Sequence, residues 1–210
     1  MKRWPWLLFL LLMSLVWGLS RSSSTGALAD SKGAAVPCPL PPAYVDAALP
    51  LQSPLPAGLQ PFEFGGARVS PLAGLSLQAR VLSRENYSFG PESRFSPTDL
   101  ALGWGPMAEP GMADRLQVSQ GGRWYRYRWG SDGPPIALRD ITVNSANMHM
   151  VPADATVARR LDQVHAGDIV QLQGWLIRID GPSGWHWQSS LTREDQGDGA
   201  CELVLVCAIE

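Results

Sequence analysis

The clearest alternation in the chain lies in its middle. Leu75, Leu77, Ala79 and Val81 alternate with Ser76, Gln78, Arg80 and Leu82, the period-two pattern of a half-buried strand. From Leu72 onward the pattern is one of short strands separated by turn residues. Ser96-Pro97-Thr98-Asp99 places a capping hydroxyl before a proline, which predicts a short helix ending by Gly103 or Gly105. Residues 123–129 predict a strand of Arg, Trp and Tyr, and residues 141–150 an extended segment that Pro152 helps to end. The best helix comes next. Asp154 stands at a cap position, Val157, Leu161 and Val164 share one face, and Gly167 closes it. Residues 168–179 and 185–192 predict two strands joined by Asp180-Gly181-Pro182-Ser183-Gly184, and a last strand runs over 201–209.

Before these elements the pattern differs. Lys2-Arg3 precede an uncharged apolar run from Trp4 to Leu19, with Arg21 beyond it. Such a run spans about 25 Å as a helix, and snorkelling of the flanking cations covers the shortfall against a ~30 Å hydrocarbon core. Residues 1–20 therefore read as a membrane anchor, with the carboxyl-terminal part on the far side because the positive charge comes first. The expected location is a single-pass inner-membrane protein with its domain in the periplasm and residues 4–20 in the membrane. The alternative is a signal segment cleaved near Ala29, where Ala27-Leu28-Ala29 offers a small-x-small site.

Residues 21–71 read as a tether. Nine of the 18 prolines fall between Pro37 and Pro71, a density that predicts a semi-extended polyproline-like spacer. Its Tyr44, Leu49, Leu51, Phe62 and Phe64 are available to dock on the domain. Residues 72–210 then form the globular part, mainly β, and one capped helix before the last three strands suggests a small curved antiparallel barrel. An OB-like barrel is the preferred version, with an SH3-like barrel or an open α+β sheet as alternatives. Gly174, inside a strand run, marks a bulge or a sharp bend.

Composition narrows the function classes. The formal charge is −2, and setting aside Lys2, Arg3 and Arg21 leaves 14 basic against 19 acidic residues. That balance speaks against a nucleic-acid partner. The three cysteines, Cys38, Cys201 and Cys207, are too few for a disulfide scaffold. On one strand Cys201 and Cys207 stand about 20 Å apart, so a bridge, if formed, joins Cys38 to one of them.

Several blocks carry a resemblance. They are Leu82-Ser83-Arg84-Glu85-Asn86-Tyr87, the run from Ser96 to Met107, Ser145-Ala146-Asn147-Met148-His149-Met150 with Pro152-Ala153-Asp154, and Ser189-Ser190-Leu191-Thr192-Arg193 followed by Gly199-Ala200-Cys201-Glu202. Over residues 80–206 the chain resembles a family of uncharacterised bacterial proteins that are membrane-anchored or exported. The resemblance implies a bacterial envelope protein and supplies no catalytic residue.

Candidate chemistry centres on one strand. Ser145, Asn147 and His149 share one side of an extended segment, and Ala146, Met148 and Met150 the other. The polar side is expected on a surface or groove, and Trp104 and Arg193 complete the expected binding set. Downstream stand Ser189, Ser190, Arg193, Asp195, Cys201 and Glu202, so His149 with Cys201 or Ser190 could form a base and nucleophile if the fold brings them to ~3 Å. The structural alternative is that these polar groups tie down irregular backbone while Cys201 is a small residue at a strand start. No metal site and no cofactor are expected, because Met148 and Met150 point away from His149. In residues 123–129, Tyr125, Tyr127 and Trp129 fall on one face and Arg126 and Arg128 on the other, an amphipathic strand rather than a nucleic-acid platform. Trp104, Trp175, Trp185 and Trp187 either line a sugar or peptide surface or fill the core. The expectation is a binding or accessory module that takes an envelope protein partner or a small ligand. The alternatives are a small hydrolase-like enzyme and a structural partner of a membrane complex.

Overall fold

The computed structural model describes Val36, residues 38–192 and residues 200–210. The expected anchor over 1–20 and the possible cleavage near Ala29 lie outside these residues. Among the described residues no helix is long and apolar enough to cross a membrane.

Two short strands, β1 (Leu51–Ser53) and β2 (Phe62–Phe64), precede the long β3 (Ala67–Asn86). After β4 (Thr98–Gly103) the chain leaves the sheet for residues 104–144. This excursion holds helix α1 (Met112–Arg115), a hairpin of β5 (Ser119–Gly121) and β6 (Trp124–Arg126), and helix α2 (Leu138–Val143). It returns as β7 (Ser145–Pro152), then α3 (Ala155–Asp162), β8 (Ile169–Asp180), β9 (His186–Gln188) and β10 (Glu202–Ile209). The fold is mainly β, as the sequence suggested. The main sheet runs β1-β3-β4-β7-β10-β8-β9, with β2 also on β3. Because β8 pairs with β3 as well, the path β3-β4-β7-β10-β8 returns to its first strand. The expectation of purely antiparallel pairing needs one correction: β10 runs parallel to β7. Strand β8 carries the chain back along the sheet after α3, so β10 enters beside β7 in the same direction.

Bulges allow one 20-residue strand to serve several neighbours. In β3 the register slips at Leu72, opposite β8, and at Leu82, opposite β4; each extra residue increases local twist and bend. The bulge at Leu82 also explains why that residue leaves the alternation. Leu75, Leu77, Ala79 and Val81 join the interior cluster with Leu100, Leu102, Met148, Met150, Leu176 and Val204. Leu82 instead packs outside with Ala101, Met107, Met112, Leu116 and Ile141. A third bulge, at Cys207 in β10, lies opposite Gly174 and Gln173. Gly174 is required there, because a Cβ would collide with the Leu205 carbonyl; the bulge lies in the facing strand and not at the glycine itself.

The expected cap and apolar face of α3 hold, but the helix ends at Asp162, before Gly167, whose N–H donates to the Val81 carbonyl. Asp154 accepts hydrogen bonds from the N–H groups of Thr156 at 2.6 Å and Val157 at 2.9 Å. Val157, Leu161 and Val164 belong to the interior cluster. Arg84 Nη1 donates to the carbonyls of Leu161 and Val164, groups that a helix end leaves without partners.

Three local expectations are overturned. Ser96-Pro97-Thr98-Asp99 opens no helix but leads into β4, whose residues are all buried. Ser96 Oγ donates to the Thr98 carbonyl instead of capping N–H groups, and the interior needs Leu100 and Leu102 on one strand face. The strand expected over 123–129 shrinks to β6, and the extended reading of 141–150 holds only from Ser145, since Leu138–Val143 is helical. Burial of Ile141 against Met107, Met112 and Leu116 favours that helical turn.

The tether boundary also moves. From Cys38 on, the proline-rich stretch belongs to the compact unit Ala34–Glu210, supplies β1 and β2, and is covalently attached through a Cys38–Cys207 disulfide. Closing a loop of sequence separation 169 lowers the entropy of the unfolded chain by about 5 kcal/mol at most.

Candidate functional site

A row of side chains crosses four strands on the outer face of the sheet. Glu85 pairs with Asp99, Asp99 with His149, and His149 with Leu203. Partners in adjacent strands project from the same face, and the inward alternation of Leu100, Leu102, Met148 and Met150 turns Asp99, Asn147 and His149 outward. They are nevertheless buried, at 0, 4 and 2% exposure respectively, because the 104–144 excursion and β9 lie over them. This departs from the exposed surface or groove expected for Ser145, Asn147 and His149.

Asp99 is the hub. Its Oδ1 accepts a hydrogen bond from Arg123 Nη1 at 2.6 Å. Its Oδ2 lies 2.9 Å from His149 Nδ1, although Nδ1 makes no well-aligned hydrogen bond. Ser96 Oγ and Asn147 Nδ2 approach Asp99 at 3.5 Å, the weak end of the range.

Arg123 reaches Asp99 through the conformation of the β5–β6 hairpin. Gly122 and Arg123 form its two-residue turn, both with positive φ, 60° and 70°, the pattern of a type I′ turn. A left-handed arginine is uncommon. Its cost is offset by contacts at the tip: the Arg123 N–H donates to Tyr87 Oη at 2.9 Å, and Nη2 donates to the Ser96 carbonyl at 2.9 Å. The guanidinium carbon lies 3.8 Å from the Tyr87 ring centroid and 5.5 Å from that of Trp187, within cation–π range. Trp187 also packs on His149, with centroids 4.7 Å apart. Burial raises the Tyr87 phenol above its ordinary pKa, with Arg123 acting in the opposite direction.

The rest of the row fastens the excursion to β7. Asn147 Oδ1 accepts from Gln120 Nε2 at 2.6 Å, and its Nδ2 donates to the Arg123 carbonyl at 3.1 Å. Tyr125 OH donates to Ser145 Oγ, which donates to the Ile141 carbonyl. Burial pushes the Tyr125 phenol up to about 12. Tyr125 packs tilted against Tyr127, which stacks on Trp129, so the three rings share one face as the alternation of that segment implied.

Among the other residues singled out from the sequence, Trp104 is in the interior cluster at 1% exposure and forms no contact surface. Cys201 carries no disulfide and is half-buried; its sulfur is 4.0 Å from Asn147 Nδ2 and 3.8 Å from the Arg123 carbonyl. Ser190 Oγ accepts from the Thr192 N–H and its backbone pairs with Cys201. No hydrogen bond joins His149 to Cys201 or Ser190 among the described residues. Arg193 and Asp195 lie outside them. Trp175 is buried and Trp185 stacks on Phe95. An open cleft lined by Arg160, Val164, Ile169 and Ile209 lies elsewhere on the domain, but Arg160 there already bonds the Ile209 carbonyl and approaches Glu210.

Asp99 and Arg123 were not singled out in the sequence. The signal for Arg123 was Gly121-Gly122, which marks a hairpin turn immediately before the run 123–129 that reads as one strand. Asp99 was hidden by the helix-like cap before it.

Comparison with protein-family models, curated proteins and solved structures finds no match to this chain.

Proposed function

We propose that the chain is an extracytoplasmic, membrane-tethered binding or accessory module on an OB-like barrel, and that its contact face is the half-exposed surface of Tyr87, Arg123 and Trp187 laid over the outer side of β4 and β7. One observation carries this reading. In the circuit β3-β4-β7-β8-β10, taken in chain order, the second and third strands hold Asp99, Asn147 and His149. Tyr87 comes from the connection between the first two strands, and Trp187 from that between the last two. An OB barrel uses that strand pair and those two connections to hold its ligands. The Cys38–Cys207 bridge supports an oxidising compartment, in keeping with the apolar run at residues 4–20. The half-exposed rings of Tyr87 and Trp187, with Arg123 between them, suit an envelope protein partner or a small ligand with a flat apolar face.

Crosslinking of the intact protein in membranes, followed by co-purification, tests this. A partner or ligand captured by the wild type and lost with Trp187→Ala and Tyr87→Ala supports the reading. Equal capture by both variants, or no capture at all, removes it.

A second reading rests on the 2.9 Å contact between His149 Nδ1 and Asp99. A carboxylate that orients an imidazole is half of a nucleophile–base constellation, and Cys201 stands on the same face beside Asn147. In this reading His149 is the base and Cys201, or else Ser190, the nucleophile of a small hydrolase. A Cys201 thiol alkylated by iodoacetamide no faster than an ordinary thiol, at the same rate in His149→Gln, would remove the cysteine version.

A further inference from the structure

The proline-rich strap over residues 38–44 has no part in the site described above. Its carbonyls face a row of donors on β3 and β8. Trp175 Nε1 donates to Pro39 O at 2.8 Å, Gln173 Nε2 to Pro41 O at 2.9 Å, and Ser76 Oγ to Pro42 O at 2.8 Å. Tyr44 OH then donates to Gln78 Oε1 at 3.1 Å. Gly74 pairs with Trp175 and Ser76 with Gln173, so the donors occupy successive levels of one ladder. Gly74 makes the groove: a Cβ there would lie 2.9 Å from the Pro41 Cβ. Prolines offer acceptors and no N–H, and this face answers with an indole, an amide and a hydroxyl, the complementarity by which proteins recognise polyproline segments.

The strap is fastened at one end by Cys38–Cys207. Cys207 is the bulged residue of β10, outside the regular ladder, and both cysteines are half-buried rather than sealed. The pairing of β3 with β8 beneath the strap runs from Arg68 to Arg80 through strand–strand contacts alone. We propose that the bridge is a reducible latch: its reduction releases residues 38–44 from the groove and leaves the sheet folded, baring Trp175, Gln173 and Ser76 as a site for a proline-rich segment. The reductant is a dithiol. Its thiolate attacks one bridge sulfur to form a mixed disulfide, and its second thiol resolves it. Two electrons and two protons pass to Cys38 and Cys207, which become thiols, while the dithiol becomes a disulfide.

The test is chymotrypsin digestion of the intact protein with and without dithiothreitol, with cleavage after Tyr44, which is followed by Val45 and not by proline, measured by mass, and folding followed by far-UV circular dichroism. Loss of the latch lowers the effective concentration of the strap at its groove, so cleavage within the strap should accelerate about tenfold or more with the dichroism unchanged. Cys38→Ser and Cys207→Ser should reproduce this without reductant, and Cys201→Ser should behave as wild type. If the reduced, folded protein is cut no faster, the groove holds the strap unaided and the latch is overturned. If reduction instead unfolds the whole domain, with cuts spread along it, the bridge is a global staple and the proposal also fails. Should the serine variants not fold, reduction of the wild type decides alone.

Discussion

Replacing Asp99 with asparagine keeps the size of the side chain and removes its charge. Asp99 is fully buried and the Arg123 side chain is 18% exposed. The two contacts at 3.5 Å contribute little, so the effect rests on the 2.6 Å bond from Arg123 and the 2.9 Å contact with His149. One charge-assisted bond of about 1.5–3 kcal/mol is weakened. The guanidinium keeps the Ser96 carbonyl and the Tyr87 ring but loses its counter-charge. Removing one member of a buried pair costs about 3–5 kcal/mol, and the residual solvent contact of Arg123 places Asp99→Asn near the lower end, about 3 kcal/mol. For a unit of this size that lowers Tm by roughly 6–12 °C. The assay is urea unfolding of the oxidised protein at pH 7, with Asp99→Asn, Arg123→Met and the double variant measured together. The double variant should lose at least about 1 kcal/mol less than the sum of the singles, because it leaves no buried charge alone. Losses below about 1 kcal/mol for each single, strictly additive in the double, are what an exposed ion pair gives. That result would refute the view that a buried charge pair fastens the excursion to the sheet.

Tyr125 predicts an alkaline loss of stability. Burial raises its pKa from 10.0 to about 12, so between those values the unfolded chain has given up the proton and the folded chain retains it, and stability falls as pH rises. The contribution is fully present below pH 10 and, at two pH units, amounts to about 3 kcal/mol at most. Denaturation midpoints from pH 9 to 12 should fall more steeply for wild type than for Tyr125→Phe; parallel slopes would show the phenol is not responsible. Gly174→Ala should destabilise by about 1–3 kcal/mol, because its Cβ meets the Leu205 carbonyl oxygen. Gly121→Ala, where a Cβ meets nothing within 4 Å, should change stability by less than about 0.5 kcal/mol. Equal effects in a thermal-unfolding comparison of the two variants would count against the bulge at Cys207 opposite Gly174.

What the sequence alone determined is what short-range physics controls. The alternation from Leu75 to Val81 sets a strand whatever it pairs with. Asp154 caps α3 because its carboxylate needs only the N–H groups two and three residues on, and the ordering of Ser145, Asn147 and His149 on one side follows from the two-residue period. Strand rise likewise excluded a Cys201–Cys207 bridge, leaving Cys38 as the partner of whichever cysteine pairs. The tertiary structure decided everything that depends on register between strands distant in sequence. Asp99 meets His149 because β4 and β7 pair across the excursion of residues 104–144, and Arg123 reaches the same carboxylate from a left-handed hairpin turn in between. Those contacts buried a face that the alternation alone would leave to solvent. The same long-range competition overrode local signals, turning the helix-like Ser96-Pro97 start into a strand entry and drawing Trp104 into the interior. It also laid the prolines of the strap against β3 and β8. Their lack of N–H groups was legible from the start, but only the fold supplies the indole, amide and hydroxyl that bind their carbonyls.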